Sequence, residues 1–153
     1  MNLWQTFEIG KTKYSNSGIA FRYEKGIDER LKEKYISFSK WLRATYVFPI
    51  HLNVYIKNCE KVKLLNGSWV YGSFRWFESK PPYIRVPSKI NPELYNDYDE
   101  EEIFESVISS LVHELSHYYQ WVSGAEQDNR TSERQANYYR FRIIDKFNLT
   151  QNS

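Results

Sequence analysis

Cysteine is almost missing from this chain. Cys59 stands alone among 153 residues, so no intrachain disulfide can form, and a reducing compartment is the expected setting. Methionine occurs only at position 1, and histidine only at positions 51, 113 and 117. No apolar run approaches the roughly 20 residues of a bilayer-spanning helix. The opening stretch MNLWQTFEIGKTKYSNSG lacks the basic region, apolar run and small-residue cleavage site of a secretory signal. Repeats and low-complexity segments are also missing. Together these absences lead us to expect a soluble, cytoplasmic protein with no membrane partner.

What is present suits a single domain over residues 1–153. Hydrophobic residues make up 41% and charged residues 26%, values of a globular chain. Aromatics reach 18%, with 13 Tyr, 9 Phe and 5 Trp, so the core is expected to be filled by rings. Net charge is only +2, but it is uneven: residues 1–96 carry 16 Lys/Arg against 8 Asp/Glu, and residues 97–153 carry 5 against 11. That division fits either an anionic partner for the first part or two halves that attract each other. The basic residues are spread over several elements with no recognisable motif, so nucleic acid is not the expected partner.

Periodicity gives the order helix, three strands, helix, helix, an α+β chain with a small, mostly three-stranded sheet. Residues 1–26 read as irregular or short-stranded, with FEIG and IAFRYEKG as brief β-like runs broken by glycine. Ile27, Leu31, Tyr35, Phe38, Trp41 and Leu42 line one stripe of a first helix of about four turns. Leu52, Val54 and Ile56 alternate with polar neighbours over 51–57, as in a strand with one buried face. A turn at Asn66-Gly67 leads into a strand over about 69–77 with a bulge at Gly72, and PPYIRVPS belongs at an edge or end of the sheet because prolines flank it. Asp97 and Asp99 ahead of three glutamates predict a helix start, with the helix running to about Val122 and stopping near Gly124. Thr131 or Ser132 can cap the last helix.

The second helix carries Val112-His113-Glu114-Leu115-Ser116-His117. Positions four apart lie one turn apart on one face, so His113 and His117 can point at a single ion. Glu114 sits about 100° further round, where its carboxylate can reach a water on the metal without binding the metal. In a chain with three His and fourteen Glu, chance would produce this spacing in roughly a few cases per thousand. The alternative, an ordinary histidine pair in a structural helix, is the less economical reading.

Zinc with three protein ligands needs one more. No histidine follows His117, so a third imidazole downstream is excluded, and with Met1 the only methionine there is no Met-turn. The downstream acids are Glu126, Asp128, Glu133 and Asp145. The first two fall in the loop SGAEQDNRT and Asp145 near the chain's end. Glu133 falls in the first turn of the last helix, where packing can hold it, and Ala136 one turn on lets the two helices approach.

HELSH followed by SERQAN resembles the gluzincin metallopeptidases, in which a glutamate from a second helix completes the zinc site. The pairing of HELxH with Glu133-Arg134-Gln135-Ala136-Asn137 is similar to the ImmA/IrrE-type group. The small size, with a backing helix, a short sheet, an active-site helix and a glutamate helix, is similar to the minigluzincins. The motif match spans 113–137 and the architectural match about 27–147. A departure concerns the subfamily: the ImmA/IrrE-type group continues ExxANxFA, and this chain reads ANYYRFR.

The resemblance implies a zincin-like fold and a zinc-dependent peptidase, with His113, His117 and Glu133 holding Zn²⁺ and Glu114 as general base acting on a peptide or protein substrate. Tyr138, Tyr139, Arg140 and His51 are the candidate donors for the developing oxyanion, and Asn137 can orient a ligand. Substrate is expected to lie extended against an exposed strand, either 69–77 or the YIRV run. The alternative function is a latent or regulatory module, acting by partner binding, with residues 1–26 across the cleft.

Overall fold

Asp28 begins the first regular helix by accepting the backbone N–H groups of Arg30 and Leu31 at 2.9 and 3.0 Å, which satisfies donors that the helix leaves open. In the computed structural model, which describes residues 3–4, 18–124 and 126–151, this helix is α1 (Glu29–Thr45), and it buries Leu31, Tyr35, Phe38, Trp41 and Leu42. The predicted stripe is therefore the buried face. Asp99 caps the second helix, α2 (Glu100–Ser123), in a reciprocal box with Glu102. Gly124 ends α2 in the left-handed conformation at φ 71°. The third helix is α3 (Asn129–Gln151).

The chain is α+β, and its main sheet has four strands rather than three. β1 (Ile19–Tyr23), β2 (Leu52–Lys57) and β6 (Tyr83–Pro87) run parallel, and β5 (Ser73–Arg75) closes the order β1-β2-β6-β5 by pairing antiparallel with β6. β3 (Val62–Lys63) and β4 (Trp69–Val70) form a separate hairpin, with Gly67 in the turn at φ 88°. The alternation read at 52–57 holds: Leu52, Val54 and Ile56 are fully buried, with Val54 and Ile56 in register with Ile84 and Val86 of β6 and Leu52 with Ile19 of β1.

Three expectations are corrected. The predicted strand at 69–77 is broken at Tyr71-Gly72 into β4 and β5, which belong to different sheets. The YIRV run is an interior strand, not an edge. Its prolines flank the ladder, with Pro81 and Pro82 before it and Pro87 its last residue, so they cost it little pairing. The last helix begins at Asn129, with Asp128 accepting the Thr131 N–H at 2.7 Å, so neither Thr131 nor Ser132 is the cap and Glu133 falls in the second turn. The β-like reading of IAFRYEKG holds over IAFRY, which is strand β1, and Leu3 and Trp4 ahead of it are buried. FEIG and the rest of 5–17 lie outside the described residues.

The core lies where α2 is enclosed by the sheet, α1 and α3. Leu111, Val112, Leu115, Tyr118, Tyr119 and Val122 are all fully buried, each such side chain contributing about 1.5–3 kcal/mol by leaving water. The ring hydroxyls are tied to backbone. Tyr118 accepts from the Ile50 N–H at 3.1 Å and donates to the Ile50 carbonyl, and Tyr119 donates to the Val47 carbonyl at 3.0 Å. Trp4 packs against Tyr46, Tyr119 and Tyr139 and donates from Nε1 to Ser116 at 3.0 Å. Among the described residues, no helix is long and apolar enough to cross a membrane.

Candidate metal centre

Helical spacing carries His113 and His117 to one face of α2, and Ala136, fully buried, lets α3 come close enough to deliver Glu133 to the same point. The Nε2 atoms of the two imidazoles stand 3.2 Å apart. Each is 3.0 Å from a different oxygen of Glu133: Oε2 from His113 and Oε1 from His117. Tetrahedral ligands at zinc–nitrogen distances of about 2.0–2.1 Å stand about 3.3–3.4 Å apart. The three side chains therefore have the spacing and the donor chemistry of a first coordination shell for a divalent ion. All three residues selected from the sequence are brought together, and Glu126, Asp128 and Asp145 are not part of the cluster.

Protonation supports the same reading. Burial, then the neighbouring His117, hold His113 below the ordinary histidine range, with Glu133 opposing them. The His113 ring thus favours its neutral, metal-binding form. On His117 the tautomer follows from the neighbours. The Gln120 amide nitrogen donates to the Ser132 carbonyl at 3.0 Å and to Gln135 Oε1 at 2.9 Å, so its oxygen is the atom facing His117 Nδ1 at 2.8 Å. Nδ1 must then carry the proton, which leaves the Nε2 lone pair turned toward Glu133. Ser132 Oγ donates to the same Gln120 oxygen at 2.7 Å.

Glu114 lies beside the cluster and outside it. Its side chain lines the same clefts as Glu133, is buried, and among the described residues receives no hydrogen bond. Burial, then the Glu133 charge, push its carboxyl up to about 8, with Arg140 pulling the other way. A carboxyl poised near neutrality and open to a cleft can accept and return a proton.

Gly72 lies at the break in the 69–77 strand, against Glu114. A Cβ there would stand 3.1 Å from Glu114 Cγ and 3.4 Å from its Oε1, so a side chain at this position would make Glu114 give way by a few tenths of an ångström.

Comparison of the chain with family models, with curated proteins and with solved structures finds no match.

Of the four candidates for an oxyanion donor, only Arg140 lines a cavity that contains His113. Tyr139 is buried and accepts the Leu3 N–H, Tyr138 is exposed under the Arg142 guanidinium, and His51 sits beside Asn53. Asn137 acts on His113 to favour its charged form, but does not complete a hydrogen bond to Nδ1, which is buried without a partner. Gln120, Ser132 and Gln135 were missed in the sequence. The one signal available was that Gln120 stands three residues after His117, within reach on the same helical face.

Proposed function

We propose that the protein is a zinc-dependent peptidase of the cytoplasm with a zincin-like domain, in the manner of the small gluzincins that its motifs resemble. The observation that carries the reading is the convergence of His113 Nε2, His117 Nε2 and the Glu133 carboxylate at separations of 3.0–3.2 Å, with an unpaired buried carboxyl, Glu114, next to them. Two imidazoles and one carboxylate suit Zn²⁺ better than the all-oxygen shells of magnesium or calcium. The missing third histidine is consistent with this donor set.

When bound, zinc polarises a carbonyl and lowers the pKa of coordinated water to about 7. The chain's own residues do the rest. Glu114 takes a proton from water, whose oxygen becomes bonded to the peptide carbonyl carbon. Glu114 then returns the proton to the leaving nitrogen as the C–N bond breaks, giving a carboxylic acid and an amine. Gln120, supported by Ser132, keeps the His117 ring in the tautomer that binds metal. Among the described residues β5 ends the sheet order with one side unpaired, and Ser73 and Phe74 line a cavity together with Glu114 and His117. An extended peptide can add main-chain hydrogen bonds there.

The test is metal content and peptide cleavage by the full chain beside Glu133→Ala and Glu114→Gln. We expect the wild type to retain zinc and cleave, Glu133→Ala to lose zinc, and Glu114→Gln to retain zinc without cleaving. Full zinc affinity in Glu133→Ala would overturn the ligand set. Zinc retention with no cleavage of any peptide by the wild type would favour the partner-binding module.

A further inference from the structure

Three cavities follow one another along α2. The middle one, about 480 Å³, contains His113, Glu114 and Glu133. It shares Tyr71, Ser106 and Ser110 with a larger cavity of about 800 Å³ and Gly72, Glu114 and Glu133 with a third of about 560 Å³. A groove runs through the metal centre, and its two arms differ. In the larger arm, Ile90, Leu94, Tyr98, Val107 and Phe141 make an apolar and aromatic wall. Leu94, Tyr98 and Phe141 are more than two-fifths exposed despite their size.

Arg140 stands at the junction. Seven residues after Glu133, it lies two turns further along the same face of α3, and among the described residues it is the only Lys or Arg that lines the middle cavity. Its Nη2 donates to two neutral hydroxyls of α2, Ser109 Oγ at 3.1 Å and Ser110 Oγ at 3.5 Å. Its Nε is buried with no hydrogen-bond partner, and no carboxylate among the described residues forms an ion pair with it. The two acids of the cavity are otherwise disposed: Glu133 faces the imidazoles, and Glu114 lies beyond ion-pair distance of Arg140. A guanidinium is a planar fork matched to a carboxylate. Leaving it part-buried and unpaired is costly unless something arrives to meet it. The serines hold the fork in place without neutralising it.

Building on the peptidase reading, we propose that Arg140 is the receptor for a carboxylate of the substrate, seated on the Ser106–Ser110 side of the metal centre, with the adjoining side chain of the peptide in the apolar arm. The preferred substrate is then a peptide that presents an anionic group one residue beyond the scissile bond, either its own C-terminal carboxylate or an acidic side chain.

The experiment uses the zinc-loaded full chain and three mercaptoacetyl probes, whose thiol ligates zinc whether or not turnover occurs. They are mercaptoacetyl-phenylalanine, its α-amide, and mercaptoacetyl-glutamic acid α-amide. Calorimetry is done on the wild type, Arg140→Gln and Arg140→Lys, with zinc content and thermal melting checked for each. We expect the wild type to bind one of the two acids about tenfold to a hundredfold more tightly than the phenylalanine amide, as a charge-assisted paired contact would give. Arg140→Gln should abolish that ratio, and Arg140→Lys, which keeps the charge but not the fork, should keep part of it. Preference for the free-acid phenylalanine probe identifies a chain terminus, and preference for the glutamate probe identifies an acidic side chain. A purely structural Arg140 would weaken all probes together and leave the ratio unchanged. Equal binding of acids and amide by the wild type would overturn the inference and leave the metal reading intact. Failure of every probe, with no zinc retained, would overturn both.

Discussion

The two faces of α2 are built on opposite rules. Its rear face is apolar rings and aliphatics: Leu111, Leu115, Tyr118, Tyr119 and Val122 are fully buried, and the tyrosine hydroxyls are tied to the backbone of Val47 and Ile50. Its front face carries His113, Glu114, His117 and Gln120, a polar set shared with α3 that leaves His113 Nδ1 and the Glu114 carboxyl without partners. The rear holds one helix in one position, and the front uses that rigidity to keep titratable groups in an environment they would otherwise avoid. Stability should therefore depend on the rear, and chemistry on the front.

The sharpest way to break this comparison is Glu114→Gln. Hydrolysis should fall by about 100- to 10,000-fold, the usual worth of a general base, with zinc content unchanged. A variant that kept its rate would place the base elsewhere. Leu111→Ala, which truncates a fully buried side chain of the rear face, should cost about 2–5 kcal/mol in denaturant unfolding and leave the zinc affinity of the folded fraction nearly unchanged. A matching loss of metal affinity would show that the two faces are not separable. Gln120→Ala removes the nearer partner of His117 Nδ1, leaving Ser132 Oγ at 3.2 Å, and should weaken metal binding by about 10-fold, read by competition with a chelator. Gly72→Ala should lower turnover by about several-fold, because Glu114 has to shift by a few tenths of an ångström, while zinc binding stays as it was.

The comparison can also be sharpened through pH dependence. The Glu114 carboxyl is raised from the ordinary 4.5 to about 8 in the fold without metal. Between these values the folded protein holds a proton that the unfolded chain has released, so the linked contribution to stability is present below 4.5 and is lost as pH rises through about 8. The metal-free wild type should become less stable over that window in urea titrations, and metal-free Glu114→Gln should lack that part of the slope. Identical pH profiles would mean that Glu114 is not buried as described.

The helices were the most legible part of the chain, because a three-to-four spacing of large apolar residues and an acid before the first turn act locally. The site was legible for the same reason at His113, Glu114 and His117, which one helix brings together without help. The sheet was harder to read. A strand broken at Gly72 looks continuous in one dimension, and the prolines around YIRV suggest an edge until the neighbouring strands are known.

The sequence by itself determined which donors exist: two histidines at helical spacing, a glutamate between them, and no third histidine after them. That is a matter of residue identity and of the 3.6-residue turn. Elimination among the downstream acids singled out Glu133, but only the tertiary structure brought its carboxylate to the two rings and decided how Gln120 and Ser132 set the tautomer and where Arg140 stands without an ion pair among the described residues, because each depends on α3 packing across α2 at the fully buried Ala136. Contacts between residues that chain distance separates follow from the fit of two surfaces, and no local pattern records that fit.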